Sequence, residues 1–220
     1  MRPSTLFLAS LSLGACAPAA SAPPATTCDL VVIGTSLTAG YGLPHPARDA
    51  WGAGFETAIA RPHTVHQLGI PGATAASWEP MLGERLRSLM PRPAWVIVEL
   101  GANESLRGTP SARFAADLAR LLDTITTTLP EARLALVRVP PGAAGLLGHR
   151  GREARAVAES VTARGQVAGW PVVPDLLAGV RFRAATNQGD GLHPNALGAR
   201  QAFANAWETL SPWFHAGGCR

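Results

Sequence analysis

An α/β fold, a parallel sheet covered by helices on both faces, is what this sequence predicts, and three observations carry the expectation. The run LVVI at 30–33 is apolar and β-branched, as in a strand buried on both faces, and WVIVEL at 95–100 and LALVRV at 134–139 read as further strands. These runs alternate along the chain with helical segments, which calls for parallel strands joined by right-handed crossovers. Residues that do not belong in a core gather just after the strands: Ser36 after the first, Gly72 after the second, Asn103 after the third, and Asp190 with His193 before the last helix. In an open parallel sheet a ligand lies beyond the C-terminal strand ends, so four loops would converge on one edge.

Taken in order, the predicted elements are a strand at 30–33, a helix at 49–60, a short strand at 63–68 and a helix at 74–90. A strand at 95–100 follows, then an amphipathic helix at 111–129 with Ser111 as a cap, and a strand at 134–139 stopped by Pro140 and Pro141. A helix at 151–164, a weaker strand at 171–173 and a helix at 194–210 close the series. Pro194 suits the first turn of that last helix, where a missing N–H costs nothing. There is no internal repeat and no sign of a second domain.

The start of the chain reads as a targeting segment. One arginine precedes the apolar run LFLASLSLGA, which is too short to span a bilayer. Leu13-Gly14-Ala15-Cys16 resembles a bacterial lipobox, giving a lipoprotein-type signal at 1–15, acylation of Cys16, a tether rich in Ala, Pro, Ser and Thr at 16–27, and a domain at 28–220. Ordinary cleavage after Ala22, at the small residues Ala20-Ser21-Ala22, is the alternative. Either route leaves Cys28 and Cys219 unassigned. In an exported chain they invite a bridge closing a loop of about 190 residues, for which chain entropy credits somewhat under ~5 kcal/mol. Two free terminal thiols are the other reading.

Composition narrows the function. All 19 basic residues are arginine; without lysine, a lysine-dependent phosphate loop and Schiff-base chemistry are both excluded. The arginines are scattered and not interleaved with aromatics, as on a solvated surface and not a nucleic-acid site. His63 and His66, three apart on a predicted strand, point to opposite faces and argue against a shared metal. Gly40 and Gly42 lack the third glycine of a dinucleotide loop. Trp51, Trp78, Trp170, Trp207 and Trp213 read as core or half-buried anchors.

The remaining polar residues form a chemical set. Ser36 sits where a tight turn holds a hydroxyl clear of the sheet edge. A serine needs a base, usually a histidine oriented by a carboxylate, and Asp190 and His193 are spaced for that in a turn. The N–H groups of Ser36 and Gly72 and the side-chain amide of Asn103 can serve a developing oxyanion.

The blocks GTSLTAGYG, GIPGATAA, VELGANESLRG and DGLHPNALG resemble those of the SGNH, or GDSL-type, hydrolases, in the branch of secreted thioesterases, arylesterases and lysophospholipases. The resemblance runs from Ile33 to Gly198. It implies a flavodoxin-like three-layer α/β/α sandwich with a five-stranded parallel sheet. It further implies Ser36 as nucleophile, Gly72 and Asn103 in the oxyanion hole, Asp190 and His193 as the rest of a triad, and no cofactor or metal. Four positions depart from the family pattern. Thr35 replaces the usual aspartate, Ala73 an acidic residue, and Ala102 and Glu104 the usual Gly and Asp. Thr35 brings no charge, so the turn around Ser36 is expected to differ in geometry. The loop PPGAAGLLG at 140–148 lacks the polar and aromatic residues that often line the family's acyl pocket.

The function expected is an exported serine esterase acting on a small acyl ester or thioester, a monomer, with no nucleic-acid partner and with membrane contact only through a lipid on Cys16. Two alternatives stand beside it: an envelope polysaccharide O-deacetylase, and a catalytically silent lipoprotein of this fold that binds a lipid or cell-wall ligand.

Overall fold

A computed structural model describes residues 28–60, 63–141 and 148–217. The expected leader, Cys16 and the tether, most of the 140–148 loop, and Cys219 lie outside these residues. In chain order the elements are β1 (Leu30–Gly34), α1 (Pro46–Asp49), a 3-10 turn (Trp51–Gly54), α2 (Phe55–Ala58), β2 (Val65–Gly69), α3 (Ala75–Ser88), β3 (Trp95–Glu99) and α4 (Ala102–Arg107). Then come α5 (Ser111–Thr128), β4 (Arg133–Val137), α6 (Gly148–Ala168), β5 (Val172–Val173) and α7 (Ala196–Ala216). The strands form one sheet in the order β2-β1-β3-β4-β5, with every pair parallel.

Alternation along each strand divides the core into two layers. Leu30 and Val32, with Trp95, Ile97, Ala135 and Val137, face α2, the 3-10 turn and α7, where Trp51, Phe55, Ala206, Leu210 and Phe214 meet them. Val31 and Ile33, with Val96, Val98, Leu134 and Leu136, face α3, α5 and α6, where Trp78, Leu82, Phe114, Leu118, Leu121 and Val157 pack. The sequence therefore builds the expected three-layer sandwich: a strand with both faces covered has no position for a polar side chain until it ends. Trp170, Trp207 and Trp213 pack half-buried on these layers, and Cys28, at the mouth of β1, is buried and disulfide-bonded.

Local differences from the sequence expectation have identifiable causes. The helix expected at 49–60 is replaced by shorter pieces: α1 ends at Asp49, Ala50 is extended at φ −65 and ψ 151, and the 3-10 turn and α2 follow, with Gly54 leaving room for the Phe203 ring. Ser111 is the first residue of α5 and not its cap; Pro110 holds the cap position, and the Ser111 N–H donates to Glu153. Pro194 stands outside α7, whose cap is Asn195, accepting from the Leu197 and Gly198 N–H groups. A helix missing from the sequence reading, α4, lies between Gly101 and Gly108, both with positive φ. His63 precedes β2 and bonds the Phe55 carbonyl, while His66 contacts Asp29, so the two share no site.

One close approach sets the geometry at the strand ends. β2 ends at Gly69 against the turn that follows β1, and a Cβ at Gly69 would overlap the Ala39 backbone nitrogen and Cα. Gly69→Ala is expected to lower stability by about 1–3 kcal/mol, read as a shift in urea midpoint at unchanged m-value, because backbone and not a flexible side chain must move.

Candidate active site

The chain leaves β1 through a turn tied by Ala39 N–H donating to the Thr35 carbonyl at 2.9 Å and Tyr41 N–H to the Ser36 carbonyl at 3.0 Å. The Trp78 indole donates to the Gly34 carbonyl at 3.0 Å from α3. Ser36 is thereby held half-buried at the C-terminal edge of the sheet.

The loop before α7 brings the second part of the site. Asp190 Oδ1 accepts the N–H groups of Leu192 at 2.9 Å and His193 at 3.0 Å, which fixes the carboxylate within its own turn. Asp190 Oδ2 lies 2.6 Å from His193 Nδ1, and His193 Nε2 lies 2.9 Å from Ser36 Oγ. The consistent tautomer carries its proton on Nδ1, donating to Asp190, and leaves Nε2 to accept from the Ser36 hydroxyl. The Tyr41 ring packs against the imidazole with centroids 4.9 Å apart. Gln188 joins the two loops, donating to the carbonyls of Tyr41 at 2.7 Å and Pro194 at 2.9 Å.

Hydrogen bonds from the His193 side chain, then from its backbone, hold the Asp190 carboxyl down to about 2. The carboxylate is 43% exposed against 14% for the imidazole, so solvent screens that pull, and its value lies in orientation more than in stability.

Gly72 lies in the turn after β2, and Asn103 lies in the first turn of α4, after β3. Gly72 adopts φ +77, where only glycine is unstrained, and its carbonyl accepts from Arg107 at 2.7 Å. The Asn103 amide donates one N–H to the Ala73 carbonyl at 2.8 Å, leaving the second N–H of that nitrogen for another acceptor. The N–H groups of Ser36 and Gly72 have no hydrogen-bond partner among the described residues. Glu104, buried, accepts from Ala75 N–H at 2.7 Å and Gly101 N–H at 3.2 Å, and so ties the start of α3 to the start of α4. Burial pushes its carboxyl up.

Sequence reasoning singled out Ser36, Asp190, His193, Gly72 and Asn103, and the structure brings all five to one edge. It passed over Tyr41, Arg107, Gln188 and Glu99. Glu99 left a signal: an acidic residue on an apolar strand. Its carboxylate accepts from the backbone N–H and the hydroxyl of Thr35, the residue before Ser36.

Beside the site opens a cavity of about 330 Å³ whose walls include Leu106, Val139, Pro140, Leu177, Phe182 and Leu192. A much smaller apolar cleft that contains Ser36 and His193 shares Leu177 with it. Among the described residues no cluster of His, Cys, Asp or Glu is arranged to hold a metal ion.

Known proteins share this arrangement of sequence and fold. Esterase TesA of Pseudomonas aeruginosa is 30% identical over 187 residues, 83% of this chain and 88% of its own length. The thioesterase 1/protease 1/lysophospholipase L1 of Escherichia coli is 30% identical over 76% of this chain and 75% of its length. A crystal structure of TesA superposes with a TM-score of 0.71 at 26% identity, covering 84% of this chain and 98% of that one. The psychrotrophic esterase EstA from Pseudoalteromonas sp., at 21% identity, shares the fold with a TM-score of 0.72 over 86% of this chain and 99% of that one. Residues 32–201 match the GDSL-like lipase/acylhydrolase family, and the chain belongs to it.

Proposed function

We propose that the protein is an exported serine esterase that hydrolyses small acyl esters or thioesters through Ser36, His193 and Asp190. The observation that carries this reading is the unbroken hydrogen-bond chain from Asp190 through His193 to Ser36, 2.6 and 2.9 Å long, next to an apolar cavity. The names of the relatives, esterase and thioesterase 1/lysophospholipase L1, support the same class of bond.

In this mechanism the Ser36 hydroxyl attacks the acyl carbonyl while His193 Nε2 takes its proton. The carbonyl π electrons move onto oxygen, and the N–H groups of Ser36 and Gly72 with the second Asn103 amide N–H receive the oxyanion. Collapse of the tetrahedral species expels the alcohol or thiol, which takes the proton from His193 and leaves an acyl-serine. Water, deprotonated by the same imidazole, then attacks the acyl-serine, and collapse breaks the bond to Ser36 Oγ, which takes the proton back from His193 as the acid is released. Asp190 keeps the imidazole in the working tautomer throughout. The acyl group lies in the cavity walled by Leu106, Val139 and Leu192, where burial of its methylenes supplies affinity. These residues need no cofactor.

The apolar run before Cys16 supports export, with a lipid on Cys16 holding the domain at a membrane. No helix among the described residues is long and apolar enough to cross one.

Ser36→Ala is expected to abolish both turnover of 4-nitrophenyl acetate and labelling by a fluorophosphonate; turnover that survives the substitution removes the serine mechanism. Asp190→Asn is expected to cut kcat by about 10²–10⁴-fold at similar KM, since the imidazole loses its preferred tautomer. Because the Asp190 carboxyl sits below its ordinary value of 3.8, its contact with His193 is complete above that pH and is lost only as pH falls toward about 2. An acid limb of activity near neutrality that persists in Asp190→Asn, measured by kcat against pH, checks that this limb does not belong to Asp190. Ala154→Phe, which fills the cavity, should lower kcat/KM for octanoyl more than for acetyl esters.

A further inference from the structure

Beneath the Ser36 turn lies a carboxylate for which ester hydrolysis has no direct use. Glu99 ends β3, the neighbour of β1, and is fully buried. Its Oε2 accepts the Thr35 N–H at 2.9 Å and the Thr38 hydroxyl at 3.0 Å, and the Thr35 hydroxyl lies 3.0 Å from both carboxylate oxygens. The Thr35 hydroxyl in turn accepts from the Leu37 N–H at 3.4 Å. Residues before and after Ser36 are therefore suspended from one side chain. Gly34 makes this approach feasible: a Cβ there would collide with the Thr38 hydroxyl and with Glu99 Oε2.

Every contact that Glu99 makes in this set is a donor pointing at it, and no cation is among them. A buried carboxylate without a counter-charge is costly, and only well-directed hydrogen bonds offset that cost. The strand that carries it is otherwise apolar, so an apolar side chain would complete the core at lower cost. What a carboxylate adds is a common acceptor for three donors of one tight turn.

We propose that Glu99 is a positioning residue for the nucleophile, its carboxylate clamping Thr35 and Thr38 so that the Ser36 hydroxyl meets His193 Nε2. The proposal rests on the reading of Ser36 as the nucleophile. It gives the threonine at position 35 a part in holding the turn, since Thr35 supplies both a backbone and a side-chain donor to the clamp.

Ionisation gives the clamp a signature. Burial, the dominant cause, raises the Glu99 carboxyl from its ordinary 4.5 to about 7, against hydrogen bonds from Thr35 and Thr38 that pull it down. The donor set matches the ionised form, so the clamp tightens as pH rises through about 7. Stability runs the other way. A carboxyl raised in the folded state contributes most below 4.5, and that contribution is lost as pH rises through about 7. The titratable and charged groups on the neighbouring elements include Glu104 and Arg107 of α4, Asp190 and His193 beyond Ser36, and Arg138, which follows the Val137 paired with Glu99 and bonds Glu159 and Thr162. Glu104 is bonded to Ala75 and Gly101, Arg107 to Gly72, and His193 to Asp190 and Ser36, so none of them bonds Glu99.

The test compares wild type, Glu99→Gln, Thr35→Val, Thr35→Ser and Ser36→Ala in the full chain. It measures kcat and KM for 4-nitrophenyl acetate and the thermal midpoint, each as a function of pH. Expected are a loss of kcat of about tenfold or more in Glu99→Gln and Thr35→Val with KM within about twofold, as for a misplaced reacting group, and recovery of most of that loss in Thr35→Ser. In Glu99→Gln the acid limb of kcat should lose one proton, and the midpoint should stop falling as pH rises through about 7. If Glu99→Gln does not fold, Thr35→Val and Thr35→Ser decide by the same criteria. Folded variants whose kcat stays within about twofold of wild type overturn the proposal, as does a loss of kcat that only tracks the unfolded fraction. Turnover that survives Ser36→Ala overturns the nucleophile reading and this proposal with it. Turnover that depends on Ser36 but ignores Glu99 and Thr35 overturns this proposal alone.

Discussion

Everything at the functional edge depends on a sheet whose central strands, β1, β3 and β4, are covered on both sides. Its ladder satisfies the backbone polar groups along β1, β3 and β4, and the two apolar layers leave no room for polar side chains between the strand ends. Polar chemistry is therefore expelled to the termini of the strands. Because all five strands run parallel, the loops that follow β1, β2 and β3 emerge at the same edge. Of the glycines that end β1 and β2, Gly69 lets the turn after β1 lie against the end of β2 with backbone almost in contact, and Gly34 leaves room for the Thr38 hydroxyl and the Glu99 carboxylate.

The loops are then cross-linked by side chains that do not themselves present reactive atoms. Gln188 joins the turn after β1 to the loop before α7; Glu104 joins the starts of α3 and α4; Arg107 holds the Gly72 carbonyl. Each link consumes carbonyls or amides that would otherwise need water. The N–H groups of Ser36 and Gly72 stay outside this accounting, as donors available to a ligand. The two buried glutamates in this network, Glu99 and Glu104, are both raised by burial, so the edge is held together at a cost in folding stability that a purely apolar packing would avoid.

Sequence and structure part company where short-range propensity competes with packing. Between Asp49 and Ala60 the helical pattern is real, but Ala50 is extended and only a 3-10 turn and a short helix follow it, and Phe203 of α7 occupies the space that Gly54 leaves. Thr35 shows the same limit at the site. Its hydroxyl accepts locally from the Leu37 N–H, yet its main partner is Glu99, 64 residues away. A single acidic residue at the end of WVIVE was visible, but which loop would lie over it was not.

By itself the sequence determined the number, order and kind of the main elements, because burial on both faces imposes apolar runs of a length and periodicity that can be read directly. It also determined which polar residues would stand after which strands, since the buried strands β1, β3 and β4 admit polar side chains only at their ends. The tertiary structure alone decided how these residues meet: the orientation of His193 between Asp190 and Ser36, the cavity bounded by Leu106, Val139 and Leu192, and the hold of Glu99 on Thr35 and Thr38. Each of these joins segments far apart in the chain. Their distances follow from strand register, glycine-permitted contact and side-chain rotamer, none of which is written in local composition.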